Sequence, residues 1–205
     1  GTSRTGYLYP TVSAITGKDY YGGDLSGIFA KIGYLKDTLG VESIYTNPIF
    51  EATFNVGYGP DDFLTVSRYY GTNAELAELI SVLHDNGMKF ITDGVWLYSG
   101  QNSKEYNKNG YWPEKGAFQG SDTAFKDFYF LPKNKQWPNV QTVYNENVFK
   151  INFETDFTKD YIGRSKNSAL LYFLGAPYNM DGWRLDVPAY NKSSSNGFEV
   201  EEMFR

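Results

Sequence analysis

The chain has no cysteine and one histidine in 205 residues. Without thiols there is no disulfide, no thiolate nucleophile and no cysteine-based zinc site. The single histidine, His84, excludes a histidine-rich metal site and leaves a Ser-His-Asp mechanism only that ring to use. A basic cluster is missing as well. Lys and Arg total 19 against 24 Asp and Glu, a net charge of −5. A nucleic-acid partner would need a basic stripe to displace counterions, so none is expected. No apolar run reaches the ~20 residues that span a bilayer. No signal peptide is visible, because Gly1–Pro10 lacks a basic start followed by an apolar stretch. Aromatic residues, by contrast, are abundant: 18 Tyr, 15 Phe and 4 Trp. Their rings fill cores, and those with a polar edge also suit surfaces that grip flat neutral ligands such as sugars. The chemistry left open is carboxylate chemistry.

Hydrophobic periodicity predicts three helix-then-strand units. Leu25, Ile28, Ile32, Leu35 and Leu39 recur at helical spacing, Asp24 is placed as N-cap, and Gly40 stops the helix before a strand over Val41–Asn47. Thr72-Asn-Ala-Glu75 has the form of a capping box ahead of the stripe Leu76, Leu79, Ile80, Leu83. Gly87 ends that helix, His84 lies near its C-terminus as a cation would, and Met88–Val95 reads as the next strand. A weaker helix over Tyr161–Leu174 precedes a strand over Trp183–Val187. Short apolar strands alternating with helices point to a parallel sheet wrapped by helices, either an open doubly wound sheet or a closed (β/α)8 barrel.

In both architectures function gathers at the C-terminal ends of strands, which in this chain read Asn47, Asp93 and Asp186. Arg184 and Asp186 are two apart on one strand and share a face. An inward-facing arginine needs a carboxylate partner, and Asp93 on the neighbouring strand is the natural candidate. The stretch from Ser99 to Phe157 breaks the rhythm and is rich in Asn, Lys, Gly, Tyr and Trp. It reads as a substrate-side excursion, with Trp112, Trp137 and several tyrosines available for stacking.

Several stretches together resemble glycoside hydrolase family 13, the α-amylase family. They are Asp19–Ile28, Leu35–Val41, Ile44–Ala52, Phe90-Ile-Thr-Asp-Gly-Val95 and Met180-Asp-Gly-Trp-Arg-Leu-Asp-Val187. The flavour is that of neopullulanase, cyclomaltodextrinase and amylopullulanase. The resemblance implies an α/β fold, a partial (β/α)8 TIM barrel of about the first four β/α units. On this resemblance residues 1–205 are expected to form one incomplete catalytic barrel, with 99–157 a long substrate-side insertion after the third strand. It also implies retaining chemistry on an α-glucan, the expected partner, through two carboxylates and a covalent glycosyl-enzyme intermediate.

By this resemblance Asp186 is the nucleophile, Arg184 the arginine that keeps it ionised and Asp93 the aspartate that holds the arginine. Tyr58, Tyr98, Trp183 and Tyr190 are the expected substrate-binding side chains. No cofactor is expected with certainty. Calcium is in doubt because Leu97 stands where the family carries an Asn ligand. Val56, Tyr98 and Tyr190 likewise depart from the family's sugar-contacting pattern. The general-acid glutamate is expected on the fifth strand, C-terminal to Arg205. Glu199, Glu201 and Glu202 fall on the preceding helix and are not candidates. The expected location is extracellular or at a bacterial cell surface. The rival expectation is a catalytically degenerate barrel that binds glucan or acts as a scaffold.

Overall fold

The computed structural model describes residues 22–52, 56–120, 122–131, 140, 142–143 and 148–187. Trp137, Tyr190, Glu199, Glu201 and Glu202 lie outside the described residues. In chain order the strands are β1 (Ser43–Thr46), β2 (Phe50–Ala52), β3 (Pro60–Val66), β4 (Lys89–Gly94), β5 (Tyr98–Gly100), β6 (Thr142–Val143), β7 (Val148–Lys150) and β8 (Gly182–Leu185). The α-helices are α1 (Leu25–Phe29), α2 (Asn73–Asp85), α3 (Asp156–Lys159) and α4 (Ala169–Tyr172).

The three predicted strands form one parallel sheet in the order β1-β4-β8. Its register sets Tyr45 opposite Ile91, Ile91 opposite Gly182, and Asp93 opposite Arg184. Because side chains alternate along a strand, Tyr45, Ile91, Asp93, Arg184 and Asp186 share one face. Ile44, Phe90, Thr92 and Trp183 share the other. Helix α2 presents Leu76, Leu79, Ile80 and Leu83 to the core, all four buried. Its N-terminus carries the full capping box, with Thr72 accepting from the Glu75 N–H and Glu75 accepting from the Thr72 N–H. At its C-terminus His84 meets Asp181 at 2.8 Å. Asp181 also accepts the Phe90 N–H at 2.9 Å and pairs with Lys89 at 2.9 Å. Burial pulls the Asp181 carboxyl up, but the Phe90, His84 and Lys89 donors outweigh it and hold the group at about 2. His84 therefore ties α2 to the entrance of β8, beyond the helix-end role expected of it.

Two predicted helices are broken. The first stops at Phe29 and resumes as one π-helical turn over Tyr34–Thr38. Gly27 and Gly33 weaken it from within, and of its predicted stripe only Leu25 and Ile32 are buried. The third splits into a π-helical turn over Asp160–Arg164 and α4 with Ser168 as N-cap, and the short α3 lies just ahead of its predicted start. Gly40 and Gly87, the predicted helix stops, both sit at positive φ, 68° and 72°.

Two features had no counterpart in the periodicity. Strands β2 and β3 form an antiparallel pair between the first two units. The 99–157 stretch is not a plain loop. Its strands β5, β7 and β6 build an antiparallel sheet in that order, backed by an aromatic cluster in which the Tyr106 and Phe149 rings lie 3.9 Å apart. Phe128 and Tyr129 are buried in the same cluster, their rings 5.2 Å apart.

Glu105 is buried at 1% exposure beneath this cluster. One carboxyl oxygen accepts from the Tyr161 hydroxyl at 2.7 Å, which joins the insertion to the helical segment. The other has no hydrogen-bond partner among the described residues. Burial pushes the carboxyl from 4.5 up to about 7, against the Tyr161 bond that pulls it down, with Asp62 adding a small upward push. Below pH 4.5 the group is protonated whether the chain is folded or not, and folding pays nothing for its charge. As pH rises through 7 the unfolded chain ionises first, so stability falls across this window. The shift is worth about 3 kcal/mol when complete. Glu105→Gln is therefore expected to raise the urea midpoint of the chain at pH 8 and to leave it nearly unchanged at pH 4. A gain of equal size at both pH values would contradict this account.

Candidate active site

The site is built on the face of the parallel sheet that carries Asp93. This carboxylate is fully buried, and an ion in such a place persists only when its oxygens are satisfied. Asp93 Oδ1 accepts from Arg184 Nη1 at 2.8 Å. Asp93 Oδ2 accepts from the Tyr58 hydroxyl at 2.6 Å and from the Tyr45 hydroxyl at 3.0 Å. Arg184 Nη1 also reaches Asp186 Oδ1 at 2.8 Å. One guanidinium nitrogen thus bridges two carboxylates.

The electrostatics follow from these bonds. The hydrogen bonds to Asp93 and Asp186 raise the Arg184 pKa above its ordinary value, so the cation is permanent. Burial, then the bond to Asp93, raises the Tyr58 and Tyr45 hydroxyls. Both stay protonated and act as donors throughout the neutral range. The constellation holds two carboxylates, one cation and two neutral donors.

The backbone aims these groups. Asp93 lies one residue before the end of β4. The next residue has to be glycine, because a Cβ on Gly94 would collide with Trp96 Nε1. Tyr58 follows Gly57, which has φ 80° and lies so close to Pro48 that an added Cβ would come within 2.9 Å. Asp186 stands just past β8 and its N–H donates to Gly94 O at 3.1 Å. Val187 then takes φ 39°, a strained value for a β-branched residue, directly after the Asp186 carboxylate.

Of the side chains singled out in the sequence, Asp93, Arg184, Asp186 and Tyr58 come together. Tyr98 and Trp183 do not join them. Trp183 is on the opposite face of its strand, its indole donating to Leu170 O at 3.0 Å and stacked 5.8 Å from Phe50. Tyr98 is 2% exposed within β5. Alternation puts Trp183 toward the helices, and Tyr98 is buried within the inserted sheet itself. Tyr190 lies outside the described residues. Tyr45 was missed. Its signal was positional, since residues two apart share a strand face and Tyr45 precedes Asn47 by two.

A family description, the alpha amylase catalytic domain, matches residues 7–202. The chain belongs to the α-amylase family. It is 31% identical over 191 residues to the amylopullulanase of Thermoanaerobacterium saccharolyticum, covering 86% of this chain and 15% of that protein. It is 30% identical over 174 residues to the intracellular maltogenic amylase of Bacillus subtilis, covering 82% of this chain and 27% of the relative. The structure of the type III pullulan hydrolase from Thermococcus kodakarensis superposes with a TM-score of 0.71 at 28% identity, over 90% of this chain and 30% of that one. The chain thus spans under a third of each of these three relatives, and its fold is an α/β fold similar to family catalytic domains. The comparisons do not support the expected extracellular location, and one of these relatives is named as intracellular.

The family's calcium position does not fit this chain. Calcium takes oxygen ligands, but Leu97 is apolar and 1% exposed, and its carbonyl already accepts from Ile151 N–H at 2.9 Å. Among the described residues no three acidic or histidine side chains converge as a metal site. Among them, too, no helix is long and apolar enough to cross a membrane.

Removing the Tyr58 hydroxyl tests the anchoring of Asp93. A hydrogen bond to a buried charge is worth about 1.5–3 kcal/mol. Tyr58→Phe is expected to cost that much in urea unfolding. Tyr45→Phe should cost less, because Tyr45 is 50% exposed and water can take its place. An unchanged midpoint for Tyr58→Phe would mean that Asp93 does not depend on it.

Proposed function

We propose that this chain is part of the catalytic barrel of a retaining α-glucan hydrolase, with Asp186 as nucleophile. The observation that carries the reading is the shared Arg184 nitrogen, 2.8 Å from both Asp93 and Asp186. Arg184 balances the Asp186 charge and fixes its orientation, while the buried Asp93 fixes Arg184. Asp186 attacks the anomeric carbon and forms the glycosyl-enzyme ester as the glycosidic C–O bond breaks. A glutamic acid on a later strand, expected from the family resemblance, protonates the leaving oxygen. The same glutamate then deprotonates the water that releases the sugar. Tyr58, held on Asp93, offers its ring to the sugar beside the scissile bond.

In this reading the parallel sheet β1-β4-β8 supplies the second, third and fourth strands of a (β/α)8 barrel. The 99–157 stretch is the small inserted domain on the substrate side. The substrate is a starch-, pullulan- or maltooligosaccharide-type glucan. The relatives named amylopullulanase and maltogenic amylase support that class.

One observation favours a second reading, a degenerate barrel that binds glucan without turnover. Where the family places a sugar-contacting histidine, this chain has Tyr98, and it is buried. Loss of such a contact weakens transition-state stabilisation.

The two readings separate in one assay on the whole protein that carries this chain. The hydrolase reading expects release of reducing ends from starch or pullulan, and a fall of ~10³-fold or more in kcat for Asp186→Ala. Steady activity in that variant would remove Asp186 from its role. Maltooligosaccharide binding with no turnover in the unsubstituted protein would establish the degenerate reading.

A further inference from the structure

Arg184 has two carboxylates to choose between. Its Nη1 lies 2.8 Å from Asp93 Oδ1 and 2.8 Å from Asp186 Oδ1. Among the described residues, Nη1 is the only nitrogen of that guanidinium in a hydrogen bond. A guanidinium frequently grips one carboxylate by a fork, with two parallel N–H bonds onto its two oxygens. Asp93 is the stronger attractor, because its side chain is 0% exposed and that of Asp186 is 16% exposed. Charges attract more strongly where water is excluded. The bridge through one nitrogen therefore needs something that stops Arg184 from closing its fork on Asp93.

The two hydroxyls on Asp93 Oδ2 meet that need. A carboxylate oxygen offers two lone-pair positions. Tyr58 and Tyr45 fill both on Oδ2, at 2.6 and 3.0 Å. Arg184 is left with Oδ1. The two hydroxyls come from separate elements. Tyr58 stands in the turn of the β2–β3 hairpin. Tyr45 stands on β1, where its Cα partner is Ile91, so it reaches Asp93 on the diagonal. The Tyr45 ring is 50% exposed and adds little to the core. Its bond to Asp93 is the contact that gives it a place in the site.

We propose that Tyr45 is a positioning residue for the nucleophile: by occupying Asp93 Oδ2 beside Tyr58, it keeps Arg184 from forking onto Asp93 and leaves the second Nη1 hydrogen for Asp186. Tyr45 acts through Asp93 and Arg184, and its kinetic effect rests on the hydrolase reading above. Without the hydroxyl, Oδ2 has an open acceptor position. Water competes for it with the Arg184 guanidinium, whose side chain is 47% exposed and free to turn. The guanidinium wins, since its bond to Oδ2 is charged at both ends. Asp93 stays satisfied and the fold keeps its stability, while Asp186 loses the donor that orients it.

The test is Tyr45→Phe in the whole protein that carries this chain. On soluble starch kcat is expected to fall about 10- to 100-fold, the span of a hydrogen bond to a charged group. KM should stay within about 2-fold, because no sugar contact is removed. A crystal structure of the variant should show Arg184 bonded to both oxygens of Asp93 and beyond bonding distance of Asp186. An unchanged kcat, or a loss carried by KM, overturns the proposal, as does an Arg184 that still bridges both carboxylates. A urea midpoint lowered as far as by Tyr58→Phe overturns it too, since nothing has then replaced the hydroxyl. If the unsubstituted protein cleaves no α-glucan, the hydrolase reading fails, and the crystal structure of the variant alone decides what Tyr45 does to Arg184.

Discussion

The arrangement depends on burying one carboxylate. Asp93 has no exposed surface, and an unpaired ion there would be too costly to keep. Its two oxygens collect three donors from three separate places: the first strand, the turn of the hairpin and the last strand of the sheet. The requirement to satisfy Asp93 is therefore also what draws these elements together. Asp186 benefits at second hand. It touches Arg184, and Arg184 is held by a partner that water cannot reach.

The same sheet serves two purposes because strands have two faces. On one face are Tyr45, Asp93, Arg184 and Asp186. On the other, Phe90 and Trp183 meet the helix layer, where Phe50, Trp96 and Phe173 pack edge and face around Trp183. A shift of register by one residue would exchange these sets, sending the indole to the site and the guanidinium into the core. The Trp96 cluster also constrains the site from behind. It leaves no room for a side chain at Gly94, so packing on the apolar face dictates the residue that follows Asp93 on the polar one.

What was legible in the sequence had short-range or strictly periodic causes. The capping box at Thr72–Glu75 and the left-handed glycines 40 and 87 are local rules, and both hold. The pairing of Asp93 with Arg184 followed from alternation and strand adjacency, and the register bears it out. The failures had long-range causes. The β2–β3 pair escaped notice because Pro60-Asp61-Asp62 opens β3 with no apolar alternation. Its pairing is secured instead by contacts such as Ser67 N–H to Ile49 O at 2.8 Å. The inserted sheet is held by aromatic packing among Tyr106, Tyr129 and Phe149, and such clusters carry no sequence period.

The hairpin that periodicity missed links the carboxylate constellation to the inserted segment. Its turn places Tyr58 on Asp93, and its flanking strands supply Glu51 and Asp61 to a cleft that Tyr111 also lines. Under the hydrolase reading proposed above, a long glucan has to be held away from the bond that is cleaved. Binding energy gained at a distance from the reacting carbon helps only if the two regions keep a fixed separation. In this chain the separation is set by a short antiparallel pair, clamped to the insertion at Lys104 and to the sheet at Asp93. A structure that had to keep Asp93 dry therefore also obtained a connection between its carboxylates and Tyr111, the most exposed aromatic ring among the described residues.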